Sequence, residues 1–82
     1  MTSDLTRILV VDDELGMREF LDFILSKKGY RVSLAESGKS AVKFLKNEIY
    51  DLVLCDIKLG DMTGIEVLKE AKSIDSHIPV VM

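Results

Sequence analysis

Apolar and polar positions alternate along this chain in a way that separates strands from helices. Ile8-Leu9-Val10-Val11 is wholly apolar and largely β-branched. Such a run suits a strand buried on both faces, as in a parallel sheet. It stops at Asp12-Asp13-Glu14. From Leu15 to Lys28 the apolar residues Met17, Phe20, Leu21, Ile24 and Leu25 recur at helical spacing and mark one buried face. Asp13 is placed to cap that helix, Gly29 to end it, and Lys27 and Lys28 suit the negative end of its dipole. Val32 and Leu34 alternate with Arg31 and Ser33, predicting a half-exposed strand. A second helix is expected from Ser37 to Asn47, burying Ala41, Val42 and Leu45. Leu52-Val53-Leu54-Cys55 is a third strand, ending at Asp56. Past a loop bracketed by Gly60 and Gly64, a third helix is expected to turn Ile65, Leu68 and Ala71 inward. Ile78-Pro79-Val80-Val81-Met82 opens a fourth strand, with Pro79 near its start.

Strands and helices in strict alternation with short connections predict an α/β fold, a parallel sheet with helices on both faces. No linker, repeat or low-complexity segment interrupts the pattern. The last residues are an apolar strand with no polar closing residue, an edge that natural domains cover. The sequence therefore reads as a partial domain over 1–82, less stable than a complete one and prone to associate through its fourth strand.

Composition narrows the class. The chain has 82 residues, 48% hydrophobic and 30% charged, with a formal charge of −3. That is one small globular domain. The absence of a Lys- or Arg-rich run argues against direct nucleic-acid contact. The single cysteine, Cys55, has no internal disulfide partner, as expected in a reducing cytoplasm. The start, Met1 to Thr6, is polar and lacks a signal-peptide core. Apolar runs such as Ile8–Val11 are far too short to span a membrane. A soluble cytoplasmic protein is expected.

The chemistry sits in three carboxylates at strand ends: Asp12 and Asp13 after the first strand, Asp56 after the third. Ligands of open α/β sheets bind outside the carboxyl ends of strands, where strand order reverses. If the first and third strands are neighbours, the three acids share a cleft and repel one another. A hard divalent cation such as Mg²⁺ relieves that repulsion with oxygen ligands. A cation there can neutralise phosphoryl charge, and a neighbouring carboxylate can be the nucleophile that becomes an aspartyl phosphate.

The segments Ile8–Glu14 and Leu52–Leu59, the loop Gly60-Asp61-Met62-Thr63-Gly64 and the run Ile78–Met82 resemble the bacterial response-regulator receiver family over essentially the whole chain. The resemblance implies a flavodoxin-like doubly wound sheet of order 2-1-3-4, with the fifth strand and last helices outside these residues. It implies phosphorelay signalling, with Asp56 the phosphoacceptor. Asp12, Asp13, Asp56 and the backbone carbonyl of Lys58 would be the Mg²⁺ ligands. The phosphodonor would be a sensor histidine kinase or a phosphotransfer protein that docks on the first helix, where Arg18, Asp22 and Lys27 are candidates, and the output would be transcriptional. The resemblance also allows a homodimer. It implies self-catalysed acceptance of one phosphoryl group, not the multiple turnover of an enzyme. The family usually carries Pro where this chain has Gly60. Its Thr or Ser past the fourth strand and its Lys past the fifth lie outside these 82 residues, so a partial receiver with acceptor and metal site is expected, not the full switch.

Other readings compete at single positions. Asp12 and Asp13 could be only a helix cap, and Asp56 only a turn residue. Cys55 reads as a buried, inert thiol and His77 as a surface residue. Glu14 and Arg18 are spaced for a surface pair. Gly38-Lys39-Ser40 resembles the end of a phosphate-binding loop, but Ser33 stands where that motif needs its first glycine. An aspartyl-phosphate phosphohydrolase needs a second Asp where this chain has Lys58. A non-phosphorylated interaction module in the same fold is the remaining alternative.

Overall fold

The computed structural model describes residues 6–82; most of the polar start considered above lies outside them. The elements run β1 (Arg7–Val11), α1 (Leu15–Lys27), β2 (Arg31–Ala35), α2 (Gly38–Asn47), β3 (Leu52–Cys55), α3 (Gly64–Ile74) and β4 (Val80–Val81). All strand pairs are parallel, and the sheet order is β2-β1-β3-β4. This is the alternating fold and strand order expected from the sequence. β1 is central, and its residues Ile8–Val11 are all buried, as a strand covered on both faces requires.

Period-two alternation divides the strands between two layers. Leu9, Val11, Val53 and Cys55 face α2 and α3, and join Ala35, Ala41, Leu45, Val67 and Ala71 in one core cluster. Val10 and Leu54 belong to the other face, where they share a cavity of about 230 Å³ with Met17 and Leu21 of α1. The first face is closed by two helices. On the second, α1 lies against β1 and β2, and none of its residues is fully buried. Met17 and Phe20, expected in the core, are therefore 40% and 56% exposed. Their helical spacing is real; a single helix beside the sheet shields only part of the face it defines.

Helix boundaries follow local chemistry. Glu14, not Asp13, occupies the N-cap of α1 and makes no side-chain cap; the Glu14 amide donates instead to Asp12 Oδ1 at 2.9 Å. Gly29 follows the C-cap with φ 94°, the left-handed geometry that glycine adopts without strain. Ser37 caps α2 by accepting from the Ser40 amide. Thr63 and Glu66 form a reciprocal capping box at α3. That helix buries Gly64, Val67 and Ala71, whereas Ile65, expected inward, is 47% exposed and Leu68 is half-buried. The start of α3 explains the rotation. The Gly64 amide donates to the Ile57 carbonyl at 2.6 Å, pinning the helix against the end of β3. The inward face must then run through Gly64 and the residues three and seven positions on.

At the opposite end of the strands, Arg7 ties β1 to the segment before β3. Its amide donates to Asp51 Oδ2 at 2.8 Å, and its guanidinium pairs with Glu48.

A side chain at Gly64 would place Cβ 2.5 Å from the Asp56 carbonyl oxygen and 3.0 Å from Ile57 Cα. Gly64→Ala should lower the unfolding free energy by about 1–3 kcal/mol, the range for overpacking a tight site. Gly60 has open space around it and no positive φ. Gly60→Ala should leave stability unchanged or raise it by up to about 1 kcal/mol through the unfolded state. Urea denaturation of the two variants checks both values.

Candidate functional site

The cluster at the carboxyl ends of β1 and β3 is set by strand register. β1 and β3 pair with Val11 opposite Cys55. The Asp56 amide donates to the Val11 carbonyl at 2.9 Å, extending that ladder by one step, and the Asp12 amide donates to the Ala35 carbonyl of β2 at 3.1 Å. The chain leaves the sheet at Asp12 and Asp56 on adjacent strands. One oxygen of each of Asp12, Asp13 and Asp56 lies within 4.8 Å of the others. The structure thus brings together the three carboxylates singled out in the sequence.

Three carboxylates this close repel by about 1 kcal/mol per pair at 4 Å in water and by about 4 at an effective dielectric of 20. Asp12 is half-buried and Asp13 is exposed, so a solvated cation can reach them. The loop after Asp56 leaves one backbone carbonyl out of its own hydrogen bonds. Lys58 and Thr63 form an isolated antiparallel bridge. Its two bonds, from the Gly64 amide to the Ile57 carbonyl and from the Leu59 amide to the Met62 carbonyl, flank Lys58. In that pairing the Lys58 carbonyl faces away from its partner strand and accepts neither bond. Carboxylates with a free carbonyl are a hard-oxygen donor set and fit Mg²⁺.

Two braces were not legible in the sequence. Arg18 does not pair with Glu14; its Nη1 donates to the Asp12 backbone carbonyl at 2.8 Å, holding the β1–α1 turn to α1. This engagement also makes Arg18 a poorer docking candidate than exposed Lys27. Asp61, in the β3–α3 loop, accepts from the Gly38 and Lys39 amides at 2.8 Å each. These bonds hold its carboxyl below the usual carboxylate range, the Lys39 amide having the larger effect. They also engage two of the amides that a phosphate-binding loop would aim at its ligand, so Gly38-Lys39-Ser40 is a helix start. The partner of Asp61 is more than twenty residues away, beyond any local pattern. The Thr63–Glu66 box, by contrast, was readable from its spacing.

His77 is exposed, as expected. The larger cavity, about 620 Å³, lies at the other end of the strands, against Arg7, Leu45, Ile49, Tyr50, Ile74 and Ile78, and includes none of the clustered carboxylates.

Comparison with known proteins gives concordant matches. The sequence model of the response regulator receiver domain matches residues 8–82. The transcriptional regulatory protein ZraR of Escherichia coli (strain K12) is 43% identical over 82 residues, all of this chain and 19% of that protein. The sporulation initiation phosphotransferase F of Bacillus subtilis (strain 168) is 42% identical over 76 residues, 93% of this chain and 61% of that protein. Among solved structures, the response regulator TrrA of Thermotoga maritima, in complex with Mg²⁺-BeF, superposes with TM-score 0.88 at 38% identity. The match covers 93% of this chain and 66% of that one. The chain thus spans about a fifth of ZraR and less than two thirds of the phosphotransferase.

Cys55 is buried beside the cluster and donates from Sγ to the Asp56 carbonyl at 3.3 Å. Burial, and then the charges of Asp56 and Asp12, push its thiol up to about 11 from 9.0. At pH 8 the native thiolate fraction is therefore roughly 100-fold below that of the unfolded chain, and iodoacetamide should label Cys55 slowly until urea is added. Because the native state holds this proton more tightly, the stability it contributes is complete below about pH 9 and is lost as pH rises toward about 11. Urea midpoints across that window, compared with Cys55→Ala, should show a steeper fall for the wild type.

Proposed function

The chain belongs to the response regulator receiver domain family of two-component systems, and on that premise we propose that Asp56 accepts a phosphoryl group in a Mg²⁺-dependent transfer. The observation that carries this reading is the cluster of Asp12, Asp13 and Asp56 within 4.8 Å at the carboxyl ends of neighbouring strands. Asp12, Asp13 and Asp56, with the Lys58 carbonyl, would hold the ion. When bound, it would supply positive charge against the phosphoryl oxygens and the clustered carboxylates.

The phosphodonor is a phosphohistidine on a sensor histidine kinase or a phosphotransfer protein. An Asp56 carboxylate oxygen attacks phosphorus in line, the phosphorus–nitrogen bond breaks, and its electron pair goes to the imidazole, which takes up a proton. The product is an aspartyl phosphate. Arg18 holds the turn bearing Asp12, and the paired strands hold Asp56 beside it, so the acceptor is oriented before the donor arrives. Acceptance is a single event per chain, not multiple turnover. The docking face is α1, whose Leu15, Phe20 and Phe23 are 59%, 56% and 66% exposed, with Lys27 over the Phe23 ring. Phosphorylation then shifts a conformational equilibrium that governs a transcriptional output, the activity named for ZraR. Among the described residues no helix is long and apolar enough to cross a membrane.

A phosphohydrolase is disfavoured because Lys58 stands where such an enzyme needs its second Asp as general acid. Intact mass after incubation with acetyl phosphate tests the proposal. A single phosphoryl group is expected on the wild type with Mg²⁺, and none without the ion or on Asp56→Asn. Wild type and variant staying alike under all conditions would leave the non-phosphorylated interaction module in its place.

A further inference from the structure

We infer that Asp61 is a positioning residue for the metal site, anchoring the loop that offers the Lys58 carbonyl to the start of α2; this rests on the Mg²⁺ reading above. The loop from Ile57 to Gly64 leaves β3 just after Asp56 and is closed on itself only by the two bonds around the Lys58–Thr63 bridge. Those bonds fix its width but not its inclination to the sheet. Its tip, Leu59 to Met62, packs Leu59 and Met62 against the core cluster, while a Cβ at Gly60 would meet nothing. Apolar packing of this kind is not directional and leaves a place for a directional anchor. Asp61 provides one. Both carboxylate oxygens are engaged, Oδ1 by the Gly38 amide and Oδ2 by the Lys39 amide, at 2.8 Å each. Two bonds from adjacent amides to one carboxylate set orientation as well as distance.

The anchor point suits the task. The first amides of a helix have no intrahelical acceptor and carry the positive end of its dipole. Ser37 already satisfies the Ser40 amide, and Asp61 takes the first two of α2 from across the fold. The Met62 side chain lies over Gly38, in space that a Cβ there would claim, so the tip is also packed against α2. α2 in turn is held to the sheet by Ala41 and Leu45 in the core cluster. The orientation of the Lys58 carbonyl thus depends on a carboxylate that does not itself join the acidic cluster.

Ser37 supplies an internal control. It caps the same helix start without touching the loop, so losing it weakens α2 and leaves the loop anchored. Mg²⁺ titration by calorimetry of wild type, Asp61→Ala, Asp61→Asn and Ser37→Ala, with amide exchange of Gly38 and Lys39 in metal-free protein, tests the inference. Asp61→Ala should weaken Mg²⁺ binding several-fold and speed exchange at both amides. Asp61→Asn, which keeps one acceptor oxygen, should recover part of the affinity. Ser37→Ala should lower the melting temperature and bind Mg²⁺ like the wild type. Equal affinity in wild type and Asp61→Ala, or equal losses in Asp61→Ala and Ser37→Ala, would overturn the positioning role alone. A wild type that binds no Mg²⁺ would overturn the metal reading and the positioning role with it.

Discussion

The structure depends on the parallel pairing of β1 and β3. Their register, Val11 opposite Cys55, is fixed by hydrogen bonds along the strands and by the burial of Leu9, Val11, Val53 and Cys55 against α2 and α3. A slip of one residue would turn every one of these side chains to the other face, so the core enforces the register strongly. The same register decides where the chain leaves the sheet. With β1 ending at Val11 and β3 at Cys55, Asp12 and Asp56 emerge side by side, and Asp13 follows into the same space. The acidic cluster is a consequence of core packing and needs no attraction among its members. Asp12 and Asp56 are held side by side by apolar residues one and three positions behind each, and Asp13 is carried with Asp12.

That arrangement separates the source of stability from the source of function. The strand bodies supply apolar burial, while the strand ends carry groups that raise the free energy of the metal-free fold. Partial exposure keeps the cost small, since water screens the repulsion. A bound dication would reverse its sign, so the same groups would gain by being close. The turns that carry the acids are held by contacts independent of their charge. The Asp12 backbone carbonyl accepts from Arg18. Gly64 lets α3 approach the Asp56 backbone to a distance that any Cβ would prevent. These contacts need not be rebuilt when a ligand arrives, which is the physical content of preorganisation here.

How far the sequence could be read follows from the range of the interactions involved. β1 and β3 were legible because a wholly apolar run ending in Asp is a local pattern, and the alternation of segments then implied a parallel sheet. Asp12, Asp13 and Asp56 were legible as strand-end acids, and their meeting followed once β1 and β3 were neighbours. Ile65 was misplaced because spacing alone cannot orient a helix of mixed composition. Its rotation is set by the contact of Gly64 with the end of β3. Met17 and Phe20 were misplaced for a related reason: periodicity identifies an apolar stripe but not how much of it a neighbouring layer covers. Arg18 could pair locally with Glu14, and the carbonyl that it reaches instead shows only in three dimensions.

Asp61 marks the boundary of what a local pattern can carry. As a loop residue beside glycine it has an ordinary local explanation, for Asp is favoured in turns. Its actual partners are the first two amides of α2, brought to it by the packing of two helices on one sheet face. The failed phosphate-loop motif at Gly38-Lys39-Ser40 and the unremarked Asp61 are two halves of one contact. The glycine that let a sequence reading entertain an anion at this helix start is the residue against which Met62 and Asp61 lie. An anion does sit there, but the chain supplies it. A helix start that has its own carboxylate has no call on an external phosphate, and the loop that donates that carboxylate is the one that follows Asp56. The molecule uses the electrostatics of α2 to hold the site in place, not to bind the ligand.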